Sequence, residues 1–270
     1  MKIAIIVLHY GDDTQAIKCI DSLKQQSYIE HVIISNNNPH PLNQEILARK
    51  KPVTILNNKE NNGYAAGMNE GIRFALTLDC EYILLTTNDT VFPPNSINQF
   101  VEEAKKKNLD LATPLIKDEK GDVWFAGGEI DKVRFTAGHK TGKTDYLSGC
   151  CMLIRREVFN SIGLLNERYF LYYEDVDFCI RARTKGYKLG VIDTVAISHD
   201  TSKSTATKKN MRYYLARNHL LILWSFGSFK AKLREMVLSP YYLLEHAVQR
   251  DTDSLLGYIH GLICKTGKRT

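Results

Sequence analysis

The chain has 270 residues, 44% of them hydrophobic, which is enough for one substantial core with an appendage but hardly for two full domains. Its formal net charge of +6 is unevenly distributed, because residues 201–270 hold 12 Lys and Arg against 4 Asp and Glu, while residues 1–200 hold 24 against 26. A basic tail without a recognised nucleic-acid-binding module argues against a nucleic acid partner.

The cysteines and the apolar runs indicate the compartment. The six cysteines form no CxxC pair, and several lie in apolar runs, which is typical of a reducing environment. The first apolar run, Ile3–Leu8, has one charge before it and no cleavage site after it, so we expect a strand rather than a signal peptide. The run Leu220 to Trp224 is far shorter than the roughly 20 residues that span a bilayer. We therefore expect a cytoplasmic protein without a transmembrane segment.

Short apolar runs bounded by turn residues recur through the first half of the chain. They predict buried parallel strands at Ile3–Leu8, His31–Ser35, Val53–Leu56, Tyr82–Thr86 and Leu109–Thr113. Helical patterns fall between some of them: one that Asp13 can cap, one over Gly63–Leu78, and one over Ile97–Lys107 that Ser96 can cap. This alternation predicts an α/β fold with an open, mostly parallel central sheet flanked by helices.

Polar or glycine-bearing segments follow the strands, at the edge where open α/β sheets bind ligands: 9–11, 36–38, 57–63 and 87–89. They favour a nucleotide site, although Asn and Gly also form simple turns, and these residues alone do not decide between the two. His9-Tyr10-Gly11 is neither a GxGxxG motif nor a P-loop. A pyrophosphate bound there needs its charge met by other means, and a metal ion held by Asp89 is one suitable solution.

The second half begins with an irregular, glycine-rich stretch, 117–146, for which we expect hairpins or a mobile loop over the site. Helices are predicted at Arg156–Ile162 and at Glu174–Lys185, and Gly186 ends the second one. Acids in a first helical turn are also explained by the helix dipole alone. The aromatic pair Tyr172-Tyr173 nevertheless favours an acidic, aromatic pocket suited to a sugar, built with Glu174, Asp175 and Asp177.

Five segments of the chain resemble the family 2 glycosyltransferases, in particular their rhamnosyltransferase-like branch with the GT-A fold. They are Val7–Tyr10, Asn61–Asn69, Thr87–Thr90, Ser148–Arg156 and Phe170–Asp177, with Gly186-Tyr187 and Ser198-His199 in support. The resemblance covers about residues 1–225. It implies an inverting transferase that moves a sugar from a UDP- or dTDP-sugar donor to a saccharide or lipid-linked acceptor in cell-surface polysaccharide synthesis.

The resemblance also implies roles for single residues. Asp89 binds a divalent metal ion, Mg²⁺ or Mn²⁺, under the donor diphosphate, with His199 as a second contact, and Asp175 removes the acceptor's proton. Without the resemblance, His199 is better explained as a capping or core histidine. The implied contacts to the nucleotide come from His9, Tyr10, Ser35, Asn37, Gly63, Asn69 and Asn88. The implied contacts to the sugar substrates come from Trp124, Gly149 and Glu174. Asp177 is as well suited to pair with Arg181, one helical turn away.

Two positions depart from the family's pattern. Thr87 stands where the metal motif usually has Asp or Asn, and Ser35 stands where Asp is often found. These departures predict weak metal affinity in the absence of donor. They also leave an alternative function open, a catalytically inactive module of the same fold that binds a nucleotide sugar or a carbohydrate.

The domain organisation is predicted from the same segments. We expect a catalytic domain over 1–210, with a nucleotide-binding half at 1–116 and an acceptor-binding half at 117–210, followed by a basic, amphipathic helical extension at 211–270. Within the extension, Met211–Phe226 mixes aromatic, aliphatic and basic residues, as helices at membrane interfaces do. We predict peripheral association with the inner face of an anionic membrane; a helix packed on the domain with a solvated basic face explains the pattern equally well.

Overall fold

The computed structural model describes residues 2–23, 26–42, 52–201 and 208–269, with the side chains of 208 and 209 excepted. Within these ranges the strands are β1 Ile3–His9, β2 Ile29–Asn36, β3 Val53–Asn57, β4 Tyr82–Thr87, β5 Thr90–Val91, β6 Leu111–Lys117, β7 Val123–Phe125, β8 Gly128–Ile130, β9 Ala137–His139, β10 Cys151–Arg155 and β11 Leu189–His199. The helices are α1 Asp13–Leu23, α2 Gly63–Ala75, α3 Ser96–Lys106, α4 Arg156–Ile162, α5 Glu174–Thr184, α6 Lys208–Phe226, α7 Phe229–Val248 and α8 Thr252–Leu262.

The central sheet has the strand order β3-β2-β1-β4-β10-β6-β11-β5, with β7 added beside β6. The neighbours from β3 to β4 are parallel, as are β6 and β11, which confirms the predicted mostly parallel sheet. Every residue of β1 is buried because helices cover both faces of the sheet's centre. Strand β10 is antiparallel to both β4 and β6. Its first residue therefore lies at the same edge as the carboxyl ends of β1, β4 and β11.

Two predicted helix caps are wrong by one residue. The carboxylate of Asp12, rather than that of Asp13, accepts a hydrogen bond from the Thr14 amide at 2.8 Å, which leaves Asp13 free to contact His9 at 2.9 Å. Ser96 is the first residue of α3, and Asn95 precedes it in the left-handed conformation with a φ of 58°. In both cases the cap is decided by local backbone geometry, which residue type alone does not specify.

The stretch 117–146 forms short strands, so the hairpin alternative describes it. Strand β7 pairs with β6, and β8 pairs with β9 in a separate two-stranded sheet. The Cβ that an alanine would add at Gly128 would lie 2.3 Å from the Tyr146 ring, so this close crossing requires glycine. The predicted strand at Leu109–Thr113 is displaced toward the carboxyl end, to β6 Leu111–Lys117.

The C-terminal helices pack onto the sheet domain. Leu221 and Ile222 of α6 belong to the main core, and Leu220 and Leu223 form a second core with Tyr258 of α8. The prediction that Met211–Phe226 presents its apolar side chains to a membrane is therefore wrong, because most of them are buried in protein. Within the described residues, no helix combines the length and the apolar character needed to cross a bilayer.

Candidate active site

Asp89 and His199 meet at the carboxyl edge of the sheet. Strand β5, which begins just after Asp89, is antiparallel to β11, which ends at His199. The Asp89 Oδ2 atom lies 3.3 Å from His199 Nε2, and both side chains are mostly buried. The hydroxyl of Thr87 donates to Asp89 Oδ1 at 2.5 Å. Thr87, which stands where the family's metal motif usually has Asp or Asn, therefore orients Asp89.

The His199 side chain is mostly buried and is surrounded by Asp89, Cys150 and Trp124. Burial by itself would lower the pKa of His199, but its hydrogen bonds to Asp89 and to the Cys150 thiol raise it to about 10. The Nδ1 atom of His199 is buried without a hydrogen-bond partner among the described residues. The ring also lies edge-on to Trp124, with 4.7 Å between the ring centroids.

The pair Asp89 and His199 fits a divalent cation that is shared with a ligand. One carboxylate oxygen and one imidazole nitrogen converge, and a bound cation such as Mn²⁺ would have to displace the proton that Asp89 stabilises on His199, because only neutral imidazole coordinates a metal. The described part of the chain holds no group of three or more His, Cys, Asp or Glu placed to bind a metal ion. Oxygen atoms from a bound diphosphate would have to complete the coordination, and the weak affinity in the absence of donor stays a prediction.

A second group of residues lies where α5 begins. Tyr172 and Tyr173 both adopt the left-handed conformation, with φ values of 68° and 74°. This conformation is costly for residues other than glycine, by about 1–2 kcal/mol each, and is typical of functional sites. The buried Asn218 of α6 holds the turn, since its amide nitrogen donates to the carbonyl oxygens of Leu171 and Tyr172, both at 2.8 Å.

The Asp175 carboxylate is attached to the start of β10. Its Oδ2 atom accepts a hydrogen bond from the Gly149 amide at 3.0 Å, and its Oδ1 atom accepts one from the Val176 amide at 2.8 Å. Tyr64 of α2 donates its hydroxyl hydrogen to the Gly149 carbonyl oxygen. A Cβ at position 149 would lie 2.7 Å from the Tyr64 hydroxyl oxygen, so glycine is needed at this position for the close contact with Tyr64. Burial raises the pKa of Asp175, although the backbone hydrogen bonds oppose the shift.

The structure distinguishes the three acids of the first α5 turn. Asp177 is buried and pairs with Arg181 at 2.6 Å, which confirms that alternative for this residue. Glu174 is 4% exposed, and its Oε2 atom has no hydrogen-bond partner among the described residues. Burial, and then the charge of Asp175, raise the pKa of Glu174 well above its ordinary value. Asp175 alone of the three is partly exposed without an ion-pair partner among the described residues, so it is the carboxylate best placed to meet a substrate.

Trp124 and His139 connect the two groups of residues. The Trp124 ring lies 4.7 Å from the His199 ring and 4.8 Å from the His139 ring, measured between centroids. The Nδ1 atom of His139 is 3.0 Å from the Trp124 carbonyl oxygen, and the charge of His139 favours ionised Asp175. No sequence motif marks His139, because it lies in the irregular, glycine-rich stretch 117–146.

Three predicted nucleotide contacts lie around the end of β1. His9 is fully buried, and its Nε2 atom is 2.9 Å from both Asp13 Oδ1 and Asn38 Nδ2. Burial lowers the pKa of His9, while Asp13 opposes the shift. Tyr10 is 37% exposed, and the Asn88 amide nitrogen lies 3.5 Å from its carbonyl oxygen. Of the three, Tyr10 offers the accessible surface, and a base or ribose can pack against its ring.

The other four predicted nucleotide contacts attach α2 to its neighbours. Ser35 donates to the Gly67 carbonyl oxygen at 2.6 Å, and Asn37 donates to that of Gly63 at 2.8 Å. Gly63 has a φ of 86°, and a Cβ there would lie 2.2 Å from the Phe170 carbonyl oxygen. Asn69 bonds to both backbone polar groups of Leu165. These side chains position the site's scaffold, and their nucleotide contacts stay a prediction.

A family model described as glycosyl transferase family 2 matches residues 4–163, more than half of the chain. The chain belongs to glycosyl transferase family 2. Members transfer sugars, so this glycosyl transferase family 2 protein is a transferase that acts in glycan biosynthesis.

Individual proteins agree with the family. The low-salt glycan biosynthesis hexosyltransferase Agl10 of Haloferax volcanii is 26% identical over 98% of this chain and 92% of its own length. The N-acetylglucosaminyl-diphospho-decaprenol L-rhamnosyltransferase of Mycobacterium tuberculosis is 22% identical over 86% of this chain and 87% of its own. These relatives confirm the resemblance to the rhamnosyltransferase-like branch.

Solved structures confirm the GT-A fold. The mannosyltransferase PcManGT of Pyrobaculum calidifontis, solved with GDP-Man and Mn²⁺, superposes with a TM-score of 0.60 at 12% identity. The match covers 97% of this chain and 87% of that one. At this identity the likeness concerns the fold alone.

Proposed function

We propose that this protein is an inverting glycosyltransferase that uses a nucleotide-diphosphate sugar, with UDP or dTDP as the carrier. One observation carries the proposal: Asp175, partly exposed and fixed to Gly149, lies within electrostatic reach of His139, and Trp124 contacts both the His139 ring and the His199 ring that pairs with Asp89. A leaving-group site and a base are thus linked through His139 and the half-buried Trp124 ring. This is the arrangement that a single displacement at an anomeric carbon requires.

The donor's diphosphate belongs beside Asp89 and His199. A divalent cation held by these two residues would neutralise the charge that develops on the departing diphosphate. Thr87 fixes one Asp89 oxygen and thereby points the other toward His199. The solved relative PcManGT holds Mn²⁺ and GDP-Man, which supports the use of a metal ion.

Asp175 is the proposed base. The hydrogen bonds from Gly149 and Val176 fix both of its oxygens, so the carboxylate is oriented before the acceptor arrives. Burial raises its pKa, which makes it a stronger base than an exposed aspartate. Burial raises the pKa of the neighbouring Glu174 well above its ordinary value, which favours its protonated form, and its Oε2 atom has no hydrogen-bond partner among the described residues. The proposed role of Glu174 is to donate a hydrogen bond to a sugar hydroxyl. No second ionised carboxylate is proposed at the anomeric carbon, and inversion follows.

The acceptor is proposed to be a saccharide carried on a lipid diphosphate, in the synthesis of a cell-surface polysaccharide. The decaprenol-linked substrate in the name of the mycobacterial relative supports this class. A lipid-linked acceptor requires the enzyme at the inner membrane face, so we propose peripheral association through the 211–270 extension. Helix α7 presents more and better exposed large apolar side chains than α6, among them Phe229, Val237 and Leu244. Flotation with anionic vesicles, compared between wild type and Val237→Ser/Leu244→Ser, tests this contact.

Asp175→Asn tests the proposed reaction. The variant should bind donor as the wild type does, because no donor contact is changed, while sugar transfer falls by about 10³-fold or more. The exposed Asp193 provides the matched control, Asp193→Asn, which should transfer normally. Near-normal turnover by Asp175→Asn would overturn the assignment. A wild type that binds donor but shows neither transfer nor donor hydrolysis with Mn²⁺ would favour the inactive-module alternative.

A further inference from the structure

A cavity of about 590 Å³ lies between α6, α7 and α8 and the turn that joins β8 to β9. This volume is in the range of small-molecule sites in proteins. Tyr173 forms part of its wall, two residues before Asp175, and Thr136 borders it on the strand that leads to His139. The cavity is therefore lined by a residue close in sequence to the proposed base and by one close in sequence to His139, although the proposed reaction does not use it.

The wall of the cavity is largely apolar and aromatic. Tyr242 and Tyr258 line it from α7 and α8, and their rings lie 6.0 Å apart between centroids. Leu215 and Ala216 line it from α6. Tyr241 also belongs to the wall and is 60% exposed at the outer surface. The cavity is thus continuous with the outside of α7.

Helix α7 extends this apolar surface outward. Its exposed apolar residues recur at helical spacing along one face, namely Phe229, Leu233, Met236, Val237, Tyr241, Leu244 and Val248. Phe229 is 80% and Val248 is 74% exposed. A solvated helix face does not normally concentrate apolar side chains in this way. Its spacing and the +8 charge of residues 201–270 suit the surface of an anionic membrane.

The polar groups of the cavity include the exposed guanidinium of Arg134, whose charge also acts on the Asp131 carboxylate. The Arg134 guanidinium makes no hydrogen bond or ion pair with any other described residue, and its backbone oxygen is held by His219 at 2.8 Å. Arg234 contacts the Tyr242 hydroxyl at 3.1 Å and Glu235 at 3.7 Å. Glu235 itself accepts a hydrogen bond from Tyr258 at 2.6 Å.

Two further side chains complete the polar lining. Glu245 lies 3.4 Å from Gln249, next to the wall. The Nδ1 atom of His246 is buried and has no hydrogen-bond partner among the described residues. The cavity therefore combines an aromatic wall, an exposed guanidinium and an unused imidazole nitrogen. An anion attached to a hydrocarbon chain fits this combination.

We propose that this cavity binds the diphosphate and the first isoprene units of a polyprenyl-diphosphate-linked acceptor. Arg134 binds the diphosphate, the tyrosines contact the isoprene units, and the remaining chain runs along the apolar face of α7 into the membrane. The sugar then lies beyond Tyr173, at Asp175. This inference rests on the proposed function, because it presumes that the acceptor is carried on a lipid.

Binding of farnesyl diphosphate to the full-length protein tests the cavity, by calorimetry in the absence of membrane. Ala216→Phe narrows the cavity and should weaken binding by about tenfold or more, because the isoprene units lose their wall contacts. Ala247→Phe, at an exposed α7 position outside the wall, is its control and should bind normally. Thr136→Trp narrows the cavity from the opposite side if Ala216→Phe does not fold.

The diphosphate contact has its own pair of variants. Arg134→Gln should weaken farnesyl diphosphate by about tenfold, because a charged hydrogen bond is lost, and should leave farnesol binding unchanged. Lys132→Gln removes a charge from the same turn and should bind as the wild type. Equal affinity of wild type, Ala216→Phe and Arg134→Gln, or no binding to folded wild type, would overturn the proposal. Donor hydrolysis with Mn²⁺ is measured on the same samples and should be the same in wild type and in every variant. If the wild type shows no donor hydrolysis, the proposed function has failed, whatever the result for the cavity.

Discussion

Asn218 offers a sharp test of how the fold supports the site. Its amide nitrogen donates two hydrogen bonds, both at 2.8 Å, to the carbonyls of Leu171 and Tyr172, and the strained turn they form leads directly to Asp175. Its Oδ1 atom accepts a third hydrogen bond, from the Nε atom of the buried Arg217 at 2.8 Å. Asn218→Leu keeps the volume but leaves two partly buried carbonyls and the Arg217 Nε atom without these partners, at about 1–3 kcal/mol each. The left-handed residues cost about 1–2 kcal/mol each, so the turn gains by relaxing once Asn218 is gone.

We expect two consequences of Asn218→Leu. The free energy of unfolding, measured by urea titration, should fall by about 2–5 kcal/mol. The kcat for transfer should fall by about 100-fold while the donor KM stays unchanged, because a base displaced by about 1 Å loses its alignment. The control is Ser225→Ala on the same helix, which removes hydrogen bonds to the Leu221 carbonyl oxygen and to the Tyr169 hydroxyl but none to the α5 turn, and it should leave kcat unchanged. Normal kcat in a destabilised Asn218→Leu protein would show that Asn218 supports the fold alone and would refute the reasoning.

Three further predictions concern the same site. In Glu174→Gln, the free energy of unfolding should depend less on pH than in wild type. Burial raises the pKa of Glu174 in the folded state, so the wild type loses stability as the pH rises above the ordinary value of 4.5. Urea titrations across pH 5 to 8 should show the stability of the variant rising relative to wild type by up to about 1.4 kcal/mol per pH unit. Thr87→Val should raise the Mn²⁺ concentration needed for half-maximal transfer, because Asp89 loses its orienting hydrogen bond, and an unchanged metal titration would contradict this role. Gly149→Ala should cost about 1–3 kcal/mol in a thermal melt and reduce transfer, because its Cβ would lie 2.7 Å from the Tyr64 hydroxyl oxygen; a fully stable, active variant would argue against the packing described.

Much of the candidate site could be anticipated from sequence because its residues lie in dense local segments. Asp175 follows two tyrosines in one such segment, and Asp89 follows a strand whose apolar run is unmistakable. His139 and Asn218 could not be anticipated. Each lies far along the chain from the residue it supports, and their importance arises from contacts that no local pattern encodes.

The sequence by itself determined the strands and helices of the first half, the α/β class and the family. Runs of Ile, Val and Leu and a helical period are local properties, and burial of apolar surface enforces them wherever the chain folds. The tertiary structure decided which carboxylate of the α5 turn is available, because burial raises the pKa of Glu174 and Arg181 pairs with Asp177. It also decided that α6 is part of the core while α7 is exposed. An amphipathic sequence shows that a helix has an apolar face to bury. Which surface covers that face depends on how the rest of the chain packs.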